Sequence, residues 1–109
     1  MKKPVTAFLI SAAIPLLADT WKNVPLVDSN CSAEVKTTPD QHTRQCALSC
    51  AKSGFGVLTA NGSYLKLDDA GNAKALAALR ATKKTGHLRA TVSGKRSGDS
   101  IQVDSITLD

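Results

Sequence analysis

The clearest alternation of hydrophobic and polar residues in the chain lies between His87 and Ser93. Leu88, Ala90 and Val92 share one parity, and polar side chains occupy the other. A two-residue period of this kind predicts a β-strand with one buried face.

A last strand is predicted over residues 100–108, after a turn at residues 94–98. Its hydrophobic side chains change parity between Val103 and Ile106. Such a change indicates a β-bulge or the corner of a barrel.

Three more strands precede these two. Segments 55–59 and 64–67 flank an Asn61-Gly62 pair, the strongest short signal for a β-hairpin. Segment 21–27 predicts the first strand, and Pro25 restricts that strand to an edge or a bend.

Two helices are predicted between the strands. Thr38, Pro39 and Gln41 fit the N-cap, first and third positions of a capping box, and Gly54 provides a stop. We therefore expect one continuous helix over residues 39–53. An alanine-rich segment predicts a second helix over residues 72–82.

The predicted order is five strands, with a helical insertion after the first strand and a helix between the third and fourth. This order is typical of a small OB-like Greek-key barrel, a mainly β fold with two helices (α+β). An open α+β sheet with two helices on one face has the same order, so both architectures stay open.

Four segments resemble a group of small exported bacterial proteins with an OB-like core. They are Val27-Asp28-Ser29-Asn30-Cys31, His42-Thr43-Arg44-Gln45-Cys46-Ala47-Leu48-Ser49-Cys50, Thr91-Val92-Ser93-Gly94 and Asp99-Ser100-Ile101-Gln102-Val103. The resemblance implies an OB-like fold and export over nearly the whole mature chain. It implies no activity and no role for any residue.

The N-terminus has the three parts of a secretory signal. Met1-Lys2-Lys3 is basic, residues 4–17 are mostly apolar, and Ala18 is small. The apolar stretch is shorter than the roughly 20 residues of a membrane span. We expect a signal peptide over residues 1–18, one domain over residues 19–109, and a periplasmic or secreted location. A buried N-terminal strand or helix is the alternative.

His42, Cys46 and Cys50 recur every fourth residue within the first predicted helix. Each step rotates by only about 40°, so the three side chains form one stripe. The neighbouring residues predict that Cys50 faces inward, Cys46 lies near the edge and His42 lies on the rim. Together with Cys31 they make a candidate structural metal site, with zinc first and copper(I) second.

A disulfide is the competing interpretation, because cysteines usually pair in an oxidising compartment. Cys31 bonded to Cys46 or Cys50 would close a loop of about 15–20 residues and stabilise the fold by roughly 3 kcal/mol. The chain lacks a Cys-x-x-Cys redox motif and an evident oxyanion pocket beside its cysteines. We therefore expect a binding module rather than an enzyme.

The distribution of charge along the chain indicates one further candidate, a basic binding surface. The formal net charge is +5, and loss of Lys2 and Lys3 with the signal would lower it to +3. No acidic residue occurs between Asp69 and Asp99, where seven Lys and Arg residues fall.

Within this acid-free stretch, Lys83, Lys84 and an outward-facing Arg89 could bind an anionic polymer or protein, or could simply form a solvated surface. The chain has one Trp, one Tyr and two Phe residues. So few aromatic residues argue against single-stranded nucleic acid as the partner.

Overall fold

The computed structural model describes residues 18–109. The strands are β1 (Asp19–Asp28), β2 (Phe55–Leu58), β3 (Tyr64–Leu67), β4 (Arg89–Ser97) and β5 (Ser100–Leu108). The helices are α1 (Arg44–Ser49) and α2 (Asp69–Ala81), and short 3₁₀ turns occupy Ser29–Cys31, Pro39–Gln41 and Ala51–Ser53. The predicted signal peptide, apart from Ala18, lies outside the described residues. Within residues 18–109, no helix is both long and apolar enough to cross a bilayer.

The five strands close into a barrel in the order β1-β2-β3-β5-β4. Strand β3 pairs in parallel with β5, and all other neighbours are antiparallel. This closure confirms the OB-like barrel and rules out the open sheet.

Strand β1 pairs with two neighbouring strands, β4 and β2. Residues 19–25 run along β4, and the last three residues pair with β2. The register shifts between Trp21 and Val24, where β1 bulges. After the bulge, Val24 and Pro25 still pair with β4, and β1 changes partner to β2 between Pro25 and Leu26, which agrees with the bend predicted beside Pro25.

The hairpin of β2 and β3 forms around Asn61-Gly62 as predicted, and Gly62 has φ +86°. The turn predicted at residues 94–98 was wrong in extent, since residues 94–97 continue β4 and pair with β5. The parity change in β5 is confirmed as a bulge. Ser93 pairs with Ser105 and Gly94 pairs with Val103, so Asp104 is left without a partner.

Helix α2 lies between β3 and β4 and starts three residues earlier than predicted. Asp68 caps it by accepting a hydrogen bond from the backbone N of Gly71 at 2.9 Å. The helix lies close to β5, because a Cβ atom added at Gly71 would lie 2.5 Å from Cγ2 of Val103. Its fully buried Leu79 joins the barrel core. The largest buried core side chains are Phe55, Leu26, Leu65, Leu79, Leu88, Ile101, Val57 and Val92.

The prediction of one helix over residues 39–53 was wrong. The segment forms a 3₁₀ turn, then α1, then a second 3₁₀ turn, and Thr38 caps nothing with its side chain. Thr43 is the true N-cap, and its Oγ1 accepts from the backbone N of Cys46 at 3.1 Å. The break occurs at His42, whose extended backbone (φ −70°, ψ 131°) interrupts the helix.

Contacts with the segment before β4 replace the helical hydrogen bonds at this break. The backbone N of Arg44 donates to the carbonyl of Thr85 at 2.8 Å, and Thr43 forms an antiparallel bridge with Gly86. Tertiary hydrogen bonding therefore overrides a strong local capping signal.

Candidate metal centre

Asp28, the last residue of β1, is completely buried. Its Oδ2 accepts a hydrogen bond from the backbone N of Cys31 at 3.1 Å, which caps the turn that follows β1. Its Oδ1 lies 2.7 Å from Nε2 of His42. A buried carboxylate is costly unless it is hydrogen-bonded, and here both of its oxygens have partners.

His42 is 5% exposed, so its predicted position on the rim was wrong. The extended backbone at this residue takes the side chain out of the helical stripe and turns it toward the end of β1. An ionised carboxylate can only accept hydrogen bonds, so Nε2 of His42 carries the hydrogen donated to Asp28.

Cys31 and Cys50 lie beside this buried pair. Cys31 ends the turn after β1, and Cys50 follows the last residue of α1. The two Sγ atoms and a carboxylate oxygen of Asp28 all lie within 4.8 Å of one another. We call these three residues the Asp-Cys-Cys cluster.

Asn30 helps to hold the cluster together. Its Nδ2 donates to Sγ of Cys50 at 3.6 Å, and its backbone N donates to Oγ of Ser53 at 3.1 Å. Oγ of Ser53 in turn donates to the carbonyl of Cys50 at 2.8 Å. The turn after β1 is thus fastened to the end of α1 by polar contacts.

The surroundings of Cys31 disfavour ionisation of its thiol beside the Asp28 carboxylate. Partial burial raises the pKa of the Cys31 thiol to about 11, with further contributions from the Asp28 carboxylate and from Cys50. A cation bound between the three donors would remove this opposition, because it attracts both thiolates and the carboxylate.

The four predicted ligands fall in different places. Cys31 and Cys50 come together, whereas His42 reaches the cluster only through Asp28. Cys46 is exposed and lies outside the Asp-Cys-Cys cluster. The stripe that placed all three helical residues on one face required a continuous helix, and the break at His42 removes it.

Asp28 is the site residue that sequence reasoning missed. The signal was present in Asp28-Ser29-Asn30-Cys31, because an Asp three residues before a Cys can cap a turn and face the thiol. The burial of Asp28 depends on the closed barrel around it, so it could not be predicted from this local pattern.

The cysteines are all free thiols, and none is at disulfide distance from another. A bond between Cys31 and Cys50 would require their Sγ atoms to approach to about 2.05 Å. Of the two predicted pairings, Cys31 with Cys50 is the one whose sulfur atoms the cluster brings near each other.

An ion pair between Arg89 and Asp40 reduces the positive charge of the basic surface predicted from the sequence. Arg89 donates through Nε and Nη2 to the two carboxylate oxygens of Asp40, at 2.9 and 3.0 Å, and through Nη1 to the carbonyl of Asn23. Arg89 has the parity opposite to the buried Ala90 and Val92, so its outward orientation is confirmed, but its charge is paired with Asp40. Lys84 contacts the backbone carbonyl of Asp109, and Lys83 is exposed.

Comparison with known proteins returns no match: no family model fits the chain, and neither a curated protein nor a solved structure matches it. The topology and the cluster define the class, a small OB-like barrel with a buried Asp–His pair beside two thiols. The resemblance to small exported bacterial proteins stays a prediction.

Proposed function

We propose that this protein is an exported, non-enzymatic binding module whose barrel holds one thiophilic metal ion at Asp28, Cys31 and Cys50. The observation that supports the proposal is the convergence of three donor atoms within 4.8 Å. These donors come from two segments, the end of β1 and the end of α1. A shared ion would fasten the helical insertion to the barrel, which is a structural role.

The donor set favours zinc. Zinc accepts thiolate sulfur and carboxylate oxygen together in tetrahedral sites. Copper(I) comes second, because its preference for soft thiolates leaves the hard Asp28 oxygen a poor third ligand. Three protein donors leave one tetrahedral position for water or a small ligand.

In this proposal His42 is a positioning residue. Its hydrogen bond to Oδ1 fixes the Asp28 carboxyl group, and second-sphere contacts of this kind typically contribute 10- to 100-fold to metal affinity. Because its Nε2 is committed to Asp28, His42 supports the carboxylate rather than closing the site as a fourth ligand.

Zinc titration of the reduced protein against a chromophoric chelator tests the proposal. We expect one equivalent of zinc to bind and Cys50→Ser to weaken binding by at least about 100-fold. Cys46→Ser is the matched control, since the same substitution at an exposed cysteine outside the cluster should leave affinity unchanged. Equal losses in the two variants, or no stoichiometric binding of any transition metal, would contradict the proposal.

A disulfide-stabilised module that binds an anionic partner is the second candidate, and the proximity of the Cys31 and Cys50 sulfur atoms favours this pairing. Alkylation and intact-mass analysis of protein taken from its own compartment, without reductant, distinguish the two candidates. One alkylated cysteine, mapped to Cys46, indicates the disulfide. Three alkylated cysteines, with metal released from the same sample before alkylation, indicate the metal site.

Export is part of the proposal. Strand β1 begins at Asp19, so cleavage after Ala18 would leave the whole strand available to pair with β4. We expect the mass of the mature protein to correspond to an N-terminus close to Asp19. Full-length protein with Met1 retained in a cytosolic fraction, and no processed form, would contradict it.

A further inference from the structure

A second concave site lies away from the cluster, where β1 leaves β4 for β2. It is a cleft of about 330 Å³, within the range of small-molecule sites. Strand β1, the linker before α1 and the hairpin of β2 and β3 form its walls. Val24, Pro25 and Leu58 give it an apolar portion, and we call it the β1 cleft.

Cations line the β1 cleft and carboxylates do not. Lys22, Lys36 and Arg89 all line it, and no acidic residue does. Asp40 already neutralises Arg89 through two hydrogen bonds. Among residues 18–109, neither Lys22 nor Lys36 has a carboxylate within 4.0 Å. Two lysine side chains without a carboxylate partner therefore line the same cleft.

The walls of the cleft are held in place by the fold. Asn23 adopts φ +50°, unusual for a residue other than glycine, within the bulge of β1. Its carbonyl accepts from Arg89 and its backbone N donates to Thr91, so both backbone groups are fixed. On the opposite wall, a Cβ atom added at Gly62 would lie 3.5 Å from Cε of Lys36, so this side chain rests on the hairpin turn.

We propose that the β1 cleft binds a small organic oxyanion, a carboxylate or phosphate group carried on an apolar body. Lys22 and Lys36 contact the oxyanion, and Val24, Pro25 and Leu58 contact the apolar part. An ammonium pair attracts any oxyanion, whereas the apolar portion selects anions that bring hydrophobic surface with them. This site is independent of the metal proposal, because it shares no residue with the Asp-Cys-Cys cluster.

Titration of the protein as isolated with phenyl phosphate, monitored by ¹⁵N–¹H NMR, tests the proposal. We expect amide shifts concentrated at Asn23, Val24, Thr59 and Gly62. Phenol and inorganic phosphate, each lacking one half of the probe, should bind at least about tenfold more weakly.

The variant Lys22→Gln/Lys36→Gln should weaken binding of phenyl phosphate by at least about tenfold. Lys95→Gln/Arg96→Gln is the matched control, because it removes two exposed cations outside the cleft. Equal losses in the two double variants would show diffuse attraction and overturn the site. Absence of shifts at the cleft, or equal binding of phenol, would overturn it as well.

Discussion

Nε2 of His42 donates a hydrogen bond of 2.7 Å to Oδ1 of Asp28, and both side chains are almost completely buried. The pair joins the end of β1 to the break before α1. The second oxygen of the same carboxyl group caps the turn that carries Cys31. One buried carboxylate therefore organises the backbone, the histidine and the thiol cluster together.

Replacing His42 with alanine should lower the free energy of unfolding by about 3 kcal/mol, because the change leaves a buried carboxylate without its partner. Urea denaturation of metal-free protein measures the loss. The loss should appear whether Cys31 and Cys50 bind metal or form a disulfide, so His42→Ala cannot by itself separate those states.

The control for this variant is His87→Ala. His87 is exposed, and its Nδ1 lies 3.7 Å from Oδ1 of Asp40, so its loss should cost less than about 1 kcal/mol. If the two variants unfold at the same urea concentration, the buried pair contributes nothing special and the prediction fails.

The Asp40–Arg89 pair should make stability depend on acid pH. The hydrogen bonds and charge of Arg89 hold the pKa of Asp40 below its usual range. A carboxyl group whose pKa is lowered by folding contributes stability that is complete above about pH 5 and is lost as pH falls through the folded-state value.

We expect Arg89→Gln to cost about 1 kcal/mol at pH 7 and clearly less near pH 2, because both members of this pair are partly exposed. Urea unfolding at the two pH values measures the difference. Lys95→Gln, at an exposed cation with no carboxylate partner in the described chain, should change little at either pH. An Arg89→Gln cost that is the same at both pH values would argue against a contribution from the ion pair.

The thiol of Cys31 should react slowly with alkylating agents. With a pKa of about 11, only about one Cys31 in a thousand is a thiolate at pH 8. In reduced, metal-free protein, its rate with iodoacetamide should rise about tenfold per pH unit up to that pKa. Peptide mapping measures the rate, with the exposed Cys46 as the internal reference. Equal modification of both cysteines at pH 8 would contradict the prediction.

Gly94 should not tolerate a side chain. A Cβ atom there would overlap the carbonyl oxygen of Gln102 on the neighbouring strand, next to the bulge in β5. We expect Gly94→Ala to destabilise the barrel by at least about 2 kcal/mol in thermal or urea unfolding. Gly86→Ala is the control, because the nearest atom to its Cβ lies at an ordinary 3.8 Å, and it should cost less than about 0.5 kcal/mol.

Elements that depend on neighbouring residues followed from the sequence. The Asn61-Gly62 turn, the alternation of Leu88, Ala90 and Val92, and the parity change in β5 all reflect local geometry. Side chains of a strand alternate between its two faces whatever the strand pairs with. The five strands and the helix between β3 and β4 were therefore predictable, and their order suggested the barrel.

Closure of that barrel and the composition of the site were decided only by the tertiary structure. The complete capping signal at Thr38 did not start a helix, because residues 40–44 form hydrogen bonds with residues 85–87 instead. The two segments lie more than 40 positions apart in the chain. The resulting break buried His42, left Cys46 exposed and brought Cys50 to Cys31 beside Asp28. The sequence by itself determined which residue types were available for the site. Which of them meet depended on long-range contacts that no local pattern encodes, because burial of Asp28 and His42 requires the closed barrel around them.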